Sequence, residues 1–464
     1  MKAFMIAGDK SGSGKTSITL SIASLLSKKY TVQTFKVGMD YIDPSYHTAV
    51  TGRPCRNLDT FVLSDEENKE IFIHGSAGAD IAIIEGVRGL YEGAEALTDV
   101  GSSASVAKLL GVPVILVVDA RSITRSAAAL VNGFAGFDPD IHISGVILNN
   151  VKGEQHIRKT TTAIETFCKI PVIGAIPRFS DLNLTMRHLG LVPFQEGAIT
   201  SSFRDTVNGV GDAMASHIDL DALLSHAVSL SDQEYCGFIF SKGEEEEKPA
   251  ITIGIALDEA FNFYYADLID ILPVLGAKPI FFSPIHDPFP HADGYLFGGG
   301  YPEYYAEELE ADEDMRMQVR EASGADVPIY AECGGLMYLT EYLTTVKGWQ
   351  NLPGDTTFEM AGVFSGQAQI PAKRVVSYVV GETTATSFLG HHWFKGHAFH
   401  YSDVKLKPPV SYQYTLSRGV GITGMLDGAS RNHTIGSYTH LHPVASRLLF
   451  SEFCNLCCKT TGIS

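Results

Sequence analysis

The chain has 464 residues, enough for two large α/β cores, and although 45% of them are hydrophobic no run is long or pure enough to cross a bilayer, so a soluble protein is expected. A net charge of −18 excludes a general affinity for nucleic acid or anionic membrane, because both need a basic field; a local basic pocket for a polyanionic small substrate is still allowed. Seven scattered cysteines form no disulfide framework and point to a reducing cytoplasm.

Met1 to Gly8 reads as a short buried strand rather than the start of a signal peptide, since the apolar stretch ends at once in a charged, glycine-rich turn. Gly12-Ser13-Gly14-Lys15-Thr16 follows, with a helix predicted over Ser17 to Ser27. Glycines let backbone N–H groups close around phosphate oxygens, the helix start adds its positive end, Lys15 adds a full charge, and Thr16 can hold magnesium. The first glycine of the usual phosphate-loop pattern is replaced by Asp9. Lys10 occupies the place of the signature lysine of partition-type ATPases, but reads as a surface lysine beside a turn.

Two clusters of charge come next, each just past an apolar segment: Lys36, Asp40 and Asp43 after Phe35, and Glu85, Arg88 and Glu92 after Ile81-Ala-Ile-Ile84. Val114 to Val118 and Gly145 to Leu148 continue the series of apolar strands, separated by stretches of helical length such as Ser122 to Phe134. Continuous apolar strands alternating with helices indicate a parallel sheet covered on both faces. Ligands of such a sheet sit outside the carboxyl ends of the strands, so the two clusters should converge on the phosphate loop. Thr16, Asp40 and Glu85 would then supply hard oxygens to magnesium.

The glutamate run Ser241 to Lys248 suits an exposed linker, which divides the chain into a first domain over 1–225, a linker over 226–248 and a second domain over 249–464. A new strand at Ile251 to Ala256 opens a second α/β rhythm, expected to run to the end through Pro279 to Phe282 and Gly294 to Phe297. Tyr330-Ala-Glu332-Cys333-Gly334-Gly335-Leu-Met337 sets a thiol between a strand and a Gly-Gly turn where a helix can begin. Cys454, Cys457 and Cys458 resemble half a zinc site, but no partner at zinc spacing accompanies them, and terminal packing is expected. The aromatics of Phe261 to Tyr265 read as packing, and His391, His392 and His397 as structural.

The phosphate loop, Phe35 to Pro44, Arg56-Asn-Leu-Asp59, Glu85 to Gly93, Arg187 to Pro193, Phe261 to Tyr265, Gly298 to Glu303, the cysteine motif, Gly396 to Ser402 and Ser437-Tyr-Thr-His440 together resemble the tetrapyrrole a,c-diamide synthases over nearly the whole chain. The resemblance implies a dethiobiotin-synthetase-like ATP domain joined to a triad-type, cobyric-acid-like glutaminase, and amidation of two acetate side chains of a corrinoid or nickel tetrapyrrole. Gly86 to Gly93, Asp119 to Ala128 and Leu148 to Glu154 are similar to the archaeal Ni-sirohydrochlorin enzymes of coenzyme F430 biosynthesis. Cobyrinate enzymes of cobalamin biosynthesis usually have methionine where this chain has Arg88, and aspartate where it has Glu92.

By this resemblance, ATP would be bound by Gly12, Ser13, Gly14, Lys15, Thr16 and Lys36, while Asp40, Asp43, Glu85 and Glu92 serve the metal, the substrate carboxylate or the incoming ammonia, with Arg88 joining them in substrate handling. Cys333 would attack glutamine, with His440 as its base and the backbone N–H groups of Gly299, Gly300 and Gly334 as oxyanion donors. Triad glutaminases often carry glutamate two residues after the histidine; His442 stands there and is the candidate orienter, a role that His-x-His leaves open. The implied partners are glutamine and an acidic tetrapyrrole; a homodimer is compatible with a sequence that does not fix the assembly. A partition-type ATPase switch would have no use for the cysteine domain, and a regulatory protein with a dead glutaminase would have lost Cys333 or His440.

Overall fold

The structure is a computed structural model, and it describes residues 1–178, 199–230, 237–241, 251–349 and 354–460. Arg187 to Pro193 and most of the glutamate run lie outside the described residues. Contacts divide the chain into Met1–Gly237 and Phe238–Ser464. Among the described residues no helix is long and apolar enough to cross a membrane.

The first unit is a parallel sheet with helices between its strands: β1 (Lys2–Gly8), α1 (Lys15–Ser27), β2 (Val32–Val37), α2 (Ile42–Thr51), β3 (Arg56–Leu58), α3 (Asp65–Ser76), β4 (Ile81–Gly89), α4 (Ser103–Leu110), β5 (Val114–Asp119), α5 (Arg125–Phe137), β6 (Ile143–Val151), α6 (Gly153–Cys168) and β7 (Val172–Pro177). Spatial order is β3-β2-β4-β1-β5-β6-β7. β2 and β3 lie to one side of β1, β4 returns between β2 and β1, and β5, β6 and β7 step outward on the other side, so the connections change direction about β1 and a ligand is expected at the carboxyl ends of β1, β4 and β5. Fully buried Phe4, Ile6, Ile83, Ile115, Val117 and Ile147 pack from the sheet against Ile18 and Ile22 of α1. Val228–Ser229, within the segment expected as linker, adds antiparallel to β1 and so belongs to this sheet. Two helices start elsewhere than expected. The first begins at Lys15 because the glycine loop ends there, and α5 begins at Arg125 because Ser122 takes a φ of 62° in the preceding turn.

The second unit starts as α/β and then departs from that rhythm. Ala277–Phe282, Ile251–Ala256, Gly294–Phe297, Ile329–Glu332 and Thr434–Ser437 lie side by side in parallel. Antiparallel strands continue the same sheet through Leu426–Arg431, Ser411–Arg418, Val375–Thr383 and Trp393–His400 to His440–Leu441. A further sheet joins Thr356–Glu359, Thr340–Thr345, Phe364–Ile370 and Asp403–Leu406. The expected α/β alternation therefore stops at the helix Gly334–Leu339. The reason is a two-residue period: along Phe364–Ile370 every second residue is buried, which only an extended strand with one face on a core can satisfy.

Cys454 and Cys457 are buried on the last helix, Arg447–Thr460, where they join the core cluster. A Cβ on Gly294 would lie 2.4 Å from the Cys457 sulfur, so this thiol packs directly on a sheet strand. Phe261 is likewise core, and the Tyr264 hydroxyl donates to the Ala256 carbonyl at 2.6 Å and accepts the Gly298 N–H at 2.6 Å.

Candidate active sites

In the first unit the glycine loop takes a shape that its sequence requires. Gly12 and Gly14 have φ of 75° and 93°, and a Cβ on Gly14 would lie 2.3 Å from Asn149 Nδ2. Asn149, at the end of β6, donates to the Ser13 carbonyl at 2.8 Å and so holds the loop from the neighbouring strand. Ser13 Oγ is buried and has no hydrogen-bond partner among the described residues. Burial, then the charge of Lys36, pushes the Lys15 ammonium below its ordinary pKa.

Four of the predicted side chains meet at this loop. The Thr16 hydroxyl donates to Glu85 Oε1 at 2.5 Å and lies 3.4 Å from Asp43 Oδ2. Lys36 pairs with Asp43 and, at 2.7 Å, with Glu85. Burial works against the Lys36 charge, but the two carboxylates outweigh it and raise the pKa; burial also works against the Glu85 charge, and there Lys36 and then His47 hold the pKa below the usual range. Asp40 accepts the Ile42 N–H at 2.9 Å, and its main chain is pinned by Asn57, whose amide donates to the Gly38 and Asp40 carbonyls at 2.8 Å each. Burial, then the charge of Asp43, pushes the Asp40 pKa up to about 7. Arg88, exposed near the end of β4, holds a φ of 48°, and Glu92, exposed just beyond it, accepts the Gly89 N–H at 3.3 Å. Lys10 pairs with Asp119 at 3.2 Å.

In the second unit the cysteine sits at a sharp turn between the strand Ile329–Glu332 and the helix Gly334–Leu339, with φ 48° and ψ −96°. Such a strained strand-to-helix turn exposes a nucleophile at the carboxyl edge of a sheet. The register Glu332 to Ser437 sets the neighbouring strand, and the Cys333 N–H donates to the Ser437 carbonyl at 2.7 Å. His440 follows three residues later, so adjacent strand ends deliver thiol and imidazole to one place. Buried Asp427 fixes the intervening loop, accepting the N–H groups of Tyr438 and Thr439 at 3.1 and 2.9 Å.

His440 is hydrogen-bonded to Cys333, and its Nδ1 lies 3.1 Å from Glu332 Oε2. Burial pushes this imidazole down, but Cys333 and Glu332 outweigh it and bring the pKa up to about 10, so the ring keeps its proton at neutral pH. The glycines are close by. A Cβ on Gly299 would lie 2.7 Å from His440 Cε1, and one on Gly334 would lie 3.0 Å from the Gly300 nitrogen.

The next glycine gives a direct test of this turn. A Cβ on Gly335 would lie 2.2 Å from the Phe297 carbonyl oxygen, which is strand backbone and cannot move aside. Gly335→Ala should cost about 3 kcal/mol of stability in the second unit, at the upper end for an overpacked core; a thermal melt checks it, and an unchanged midpoint would show that the turn has room.

A family model described as a CobQ/CobB/MinD/ParA nucleotide binding domain matches residues 4–192, and one described as a CobB/CobQ-like glutamine amidotransferase domain matches residues 252–447. A cobyrinate a,c-diamide synthase of Methanosarcina acetivorans is 48% identical over 96% of this chain and 93% of its own. Proteins of the same name from Methanococcus vannielii and Streptococcus sanguinis are each 40% identical, over 96% and 95% of this chain and 98% and 96% of their own. The chain belongs to the cobyrinate a,c-diamide synthase family. It is a ligase of the glutamine-amidotransferase kind, with a nucleotide-binding domain that implies use of ATP.

For this synthase-family chain the contacts of the candidate orienter point elsewhere: His442 Nδ1 accepts the Val444 N–H at 3.3 Å and its Nε2 lies 3.4 Å from Asp267. The carboxylate on His440 is Glu332, the residue before Cys333. His397, read from sequence as structural, stacks on His440 with ring centroids 4.9 Å apart, because the two residues face each other across antiparallel strands. His47 was missed in the first unit. Its Nε2 lies 2.6 Å from Glu85 Oε2, and the signal available was its place four residues after Asp43 on one helix face.

Proposed function

We propose that the chain converts the a- and c-acetate carboxylates of an acidic tetrapyrrole to amides, using ATP to activate each carboxylate and ammonia released from glutamine. The observation that carries this reading is the presence, on one chain, of a phosphate loop ringed by Thr16, Lys36, Asp43 and Glu85 and of a strained cysteine hydrogen-bonded to His440. A carboxylate does not react with ammonia until one oxygen becomes a leaving group. Transfer of the ATP γ-phosphoryl to that oxygen makes an acyl phosphate; ammonia then forms the C–N bond and phosphate departs. Lys15 and Lys36 would offset charge on the transferring group.

Magnesium fits this donor set, since Thr16, Asp43 and Glu85 present hard oxygens to one another at 2.5 to 3.4 Å. Among the described residues no three His, Cys, Asp or Glu are arranged to hold a metal alone, so the ion would take its remaining ligands from phosphate and water. Thr16 and Glu85 would hold it, with Asp43 as the carboxylate nearest the Thr16 hydroxyl and Asp40, the sequence candidate, as a neighbouring charge, and it would supply charge neutralisation at the phosphates.

In the glutaminase half the Cys333 sulfur forms a bond to the glutamine amide carbon, the C–N bond breaks, and the proton of His440 leaves with the nitrogen as ammonia. Water then gives a proton to His440 and its hydroxyl to the thioester, freeing the sulfur; the glutamic acid formed loses its proton to solvent. Gly299, Gly300 and Gly334 would donate N–H groups to the oxyanion.

For the ring, the loop Gly86 to Gly93 with Arg88 and Glu92 favours Ni-sirohydrochlorin. The names of the relatives favour cobyrinate as the second reading. Purified enzyme with ATP, magnesium and glutamine, offered each acid in turn, tests both: two replacements of hydroxyl by amino group, read by product mass on one substrate alone, decide between them. Failure on both would remove the tetrapyrrole reading.

Arg88 gives a sharper expectation. Arg88 is exposed near the end of β4, and a guanidinium holds a carboxylate through two charge-assisted hydrogen bonds. Arg88→Met should raise the KM for Ni-sirohydrochlorin about tenfold, the scale of one lost hydrogen bond to a charged group, and leave glutamine hydrolysis intact. An unchanged KM would place ring recognition elsewhere.

A further inference from the structure

Every oxygen of Glu332 is engaged around the histidine. Oε2 faces His440 Nδ1 at 3.1 Å, while Oε1 accepts the Leu441 N–H at 3.0 Å and the Tyr330 hydroxyl at 2.8 Å. The carboxylate therefore holds the ring and the main chain of the next residue together, and it is itself fixed by a tyrosine on its own strand. Glu332 is 7% exposed and His440 1%, so water does not substitute for either contact.

The other titratable groups around the pair leave this arrangement uncontested. His397 covers the face of the His440 ring at 17° to its plane; burial, then the charges of His440 and His442, hold it well below the ordinary histidine range, so it stays neutral. Tyr265 lies between His397 and His442, with its hydroxyl 3.4 Å from His397 Nδ1 and its ring 4.6 Å from that of His442. His442 turns to Asp267. Tyr414 packs behind Tyr330, and burial raises both phenols so that they remain protonated donors.

We propose that Glu332 is the third member of the glutaminase triad: a positioning carboxylate that binds Nδ1–H of His440 and turns Nε2 to Cys333, in the role that sequence spacing offers to His442. A strand residue next to the nucleophile does this work because the register pairs Glu332 with Ser437, and the short loop that follows Ser437 brings His440 and Leu441 back onto the Glu332 carboxylate. Nucleophile and orienting acid thus share one turn. Removing the carboxylate would weaken the protonated imidazole and return its proton to the thiol, so the thiolate would appear only at higher pH.

The inference rests on the glutaminase reading, and the experiment separates the two. Full-length Glu332→Gln and His442→Gln are compared with the unaltered chain for Cys333 alkylation by iodoacetamide across pH, read by peptide mass, and for amidation with glutamine and with ammonia. In Glu332→Gln the alkylation midpoint should move to higher pH and glutamine-dependent turnover should fall on the order of 100-fold or more, as for a triad histidine left in the wrong tautomer. Ammonia-dependent turnover and the His442→Gln alkylation profile should not change. If Glu332→Gln melts early, Tyr330→Phe, which removes only the hydroxyl on Oε1, should shift the midpoint less and in the same direction. An unmoved alkylation profile in both Glu332→Gln and Tyr330→Phe, or the shift appearing in His442→Gln instead, overturns the assignment. Glutamine use that survives Cys333→Ala would instead overturn the reading beneath it.

Discussion

Cys333→Ala should abolish glutamine-dependent amidation while leaving amidation with added ammonium salts at its original rate. The variant removes the only atom proposed to bond to glutamine, so turnover with that donor should fall by on the order of 10³-fold or more, the scale for losing a catalytic nucleophile. Folding should survive, because alanine keeps the Cβ and the strained backbone is held by the Ser437 carbonyl and by Gly335, whose N–H donates to the Gly298 carbonyl at 3.0 Å. The substitution also takes away a hydrogen-bond partner that raises His440, so the imidazole pKa should fall from about 10 and the ring should lose its proton at lower pH than in the intact chain. NMR titration of His440 checks that sign. Equal loss with both nitrogen donors would show that the two units do not act as separate sites.

Much of this could be read from the chain because the chemistry lies in contiguous motifs. The loop from Gly12 to Thr16 and the turn at Cys333 each encode their own backbone: glycines supply the left-handed or crowded positions, and the flanking apolar runs supply the strand. Buried strands were equally plain, as in Val114 to Val118, where every side chain is fully enclosed. Helix ends were less legible, since the turn before α5 depends on the conformation of Ser122 rather than on hydrophobic period.

What stayed hidden is contact between residues distant in sequence. Glu332 and His440 are 108 positions apart, and nothing in their spacing says that one strand register will join them. His397 reaches His440 through an antiparallel pairing that becomes visible only once the sheet continues past its parallel half. His47 was closer to hand, on the same helix as Asp43, but its partner Glu85 comes from another strand. The local rule of two residues after the histidine therefore pointed to His442, while the carboxylate that meets His440 comes from the strand Ile329–Glu332.

Lys15→Ala should stop amidation with both glutamine and ammonia, because in the proposed reaction the acyl phosphate precedes either nitrogen donor. Lys15 is buried at the start of α1, beside Lys36 and the carboxylates Glu85, Asp43 and Asp40, so its ammonium stands where phosphate oxygens would meet the helix end. A preorganised charge of this kind acts most strongly on the transferring group, and its loss should lower kcat on the order of 10²- to 10³-fold rather than act on KM alone. Alanine at this position also leaves three carboxylates facing one lysine fewer. Lys36 still pairs with Asp43 and Glu85, so the cluster keeps one internal cation and the unit should remain folded. Glutamine hydrolysis measured without ATP should persist, since Cys333 and His440, the proposed nucleophile and its partner, lie in the other unit. ADP release with ammonia as donor is the deciding measurement: release at the original rate would mean that this loop does not handle the transferred phosphoryl group.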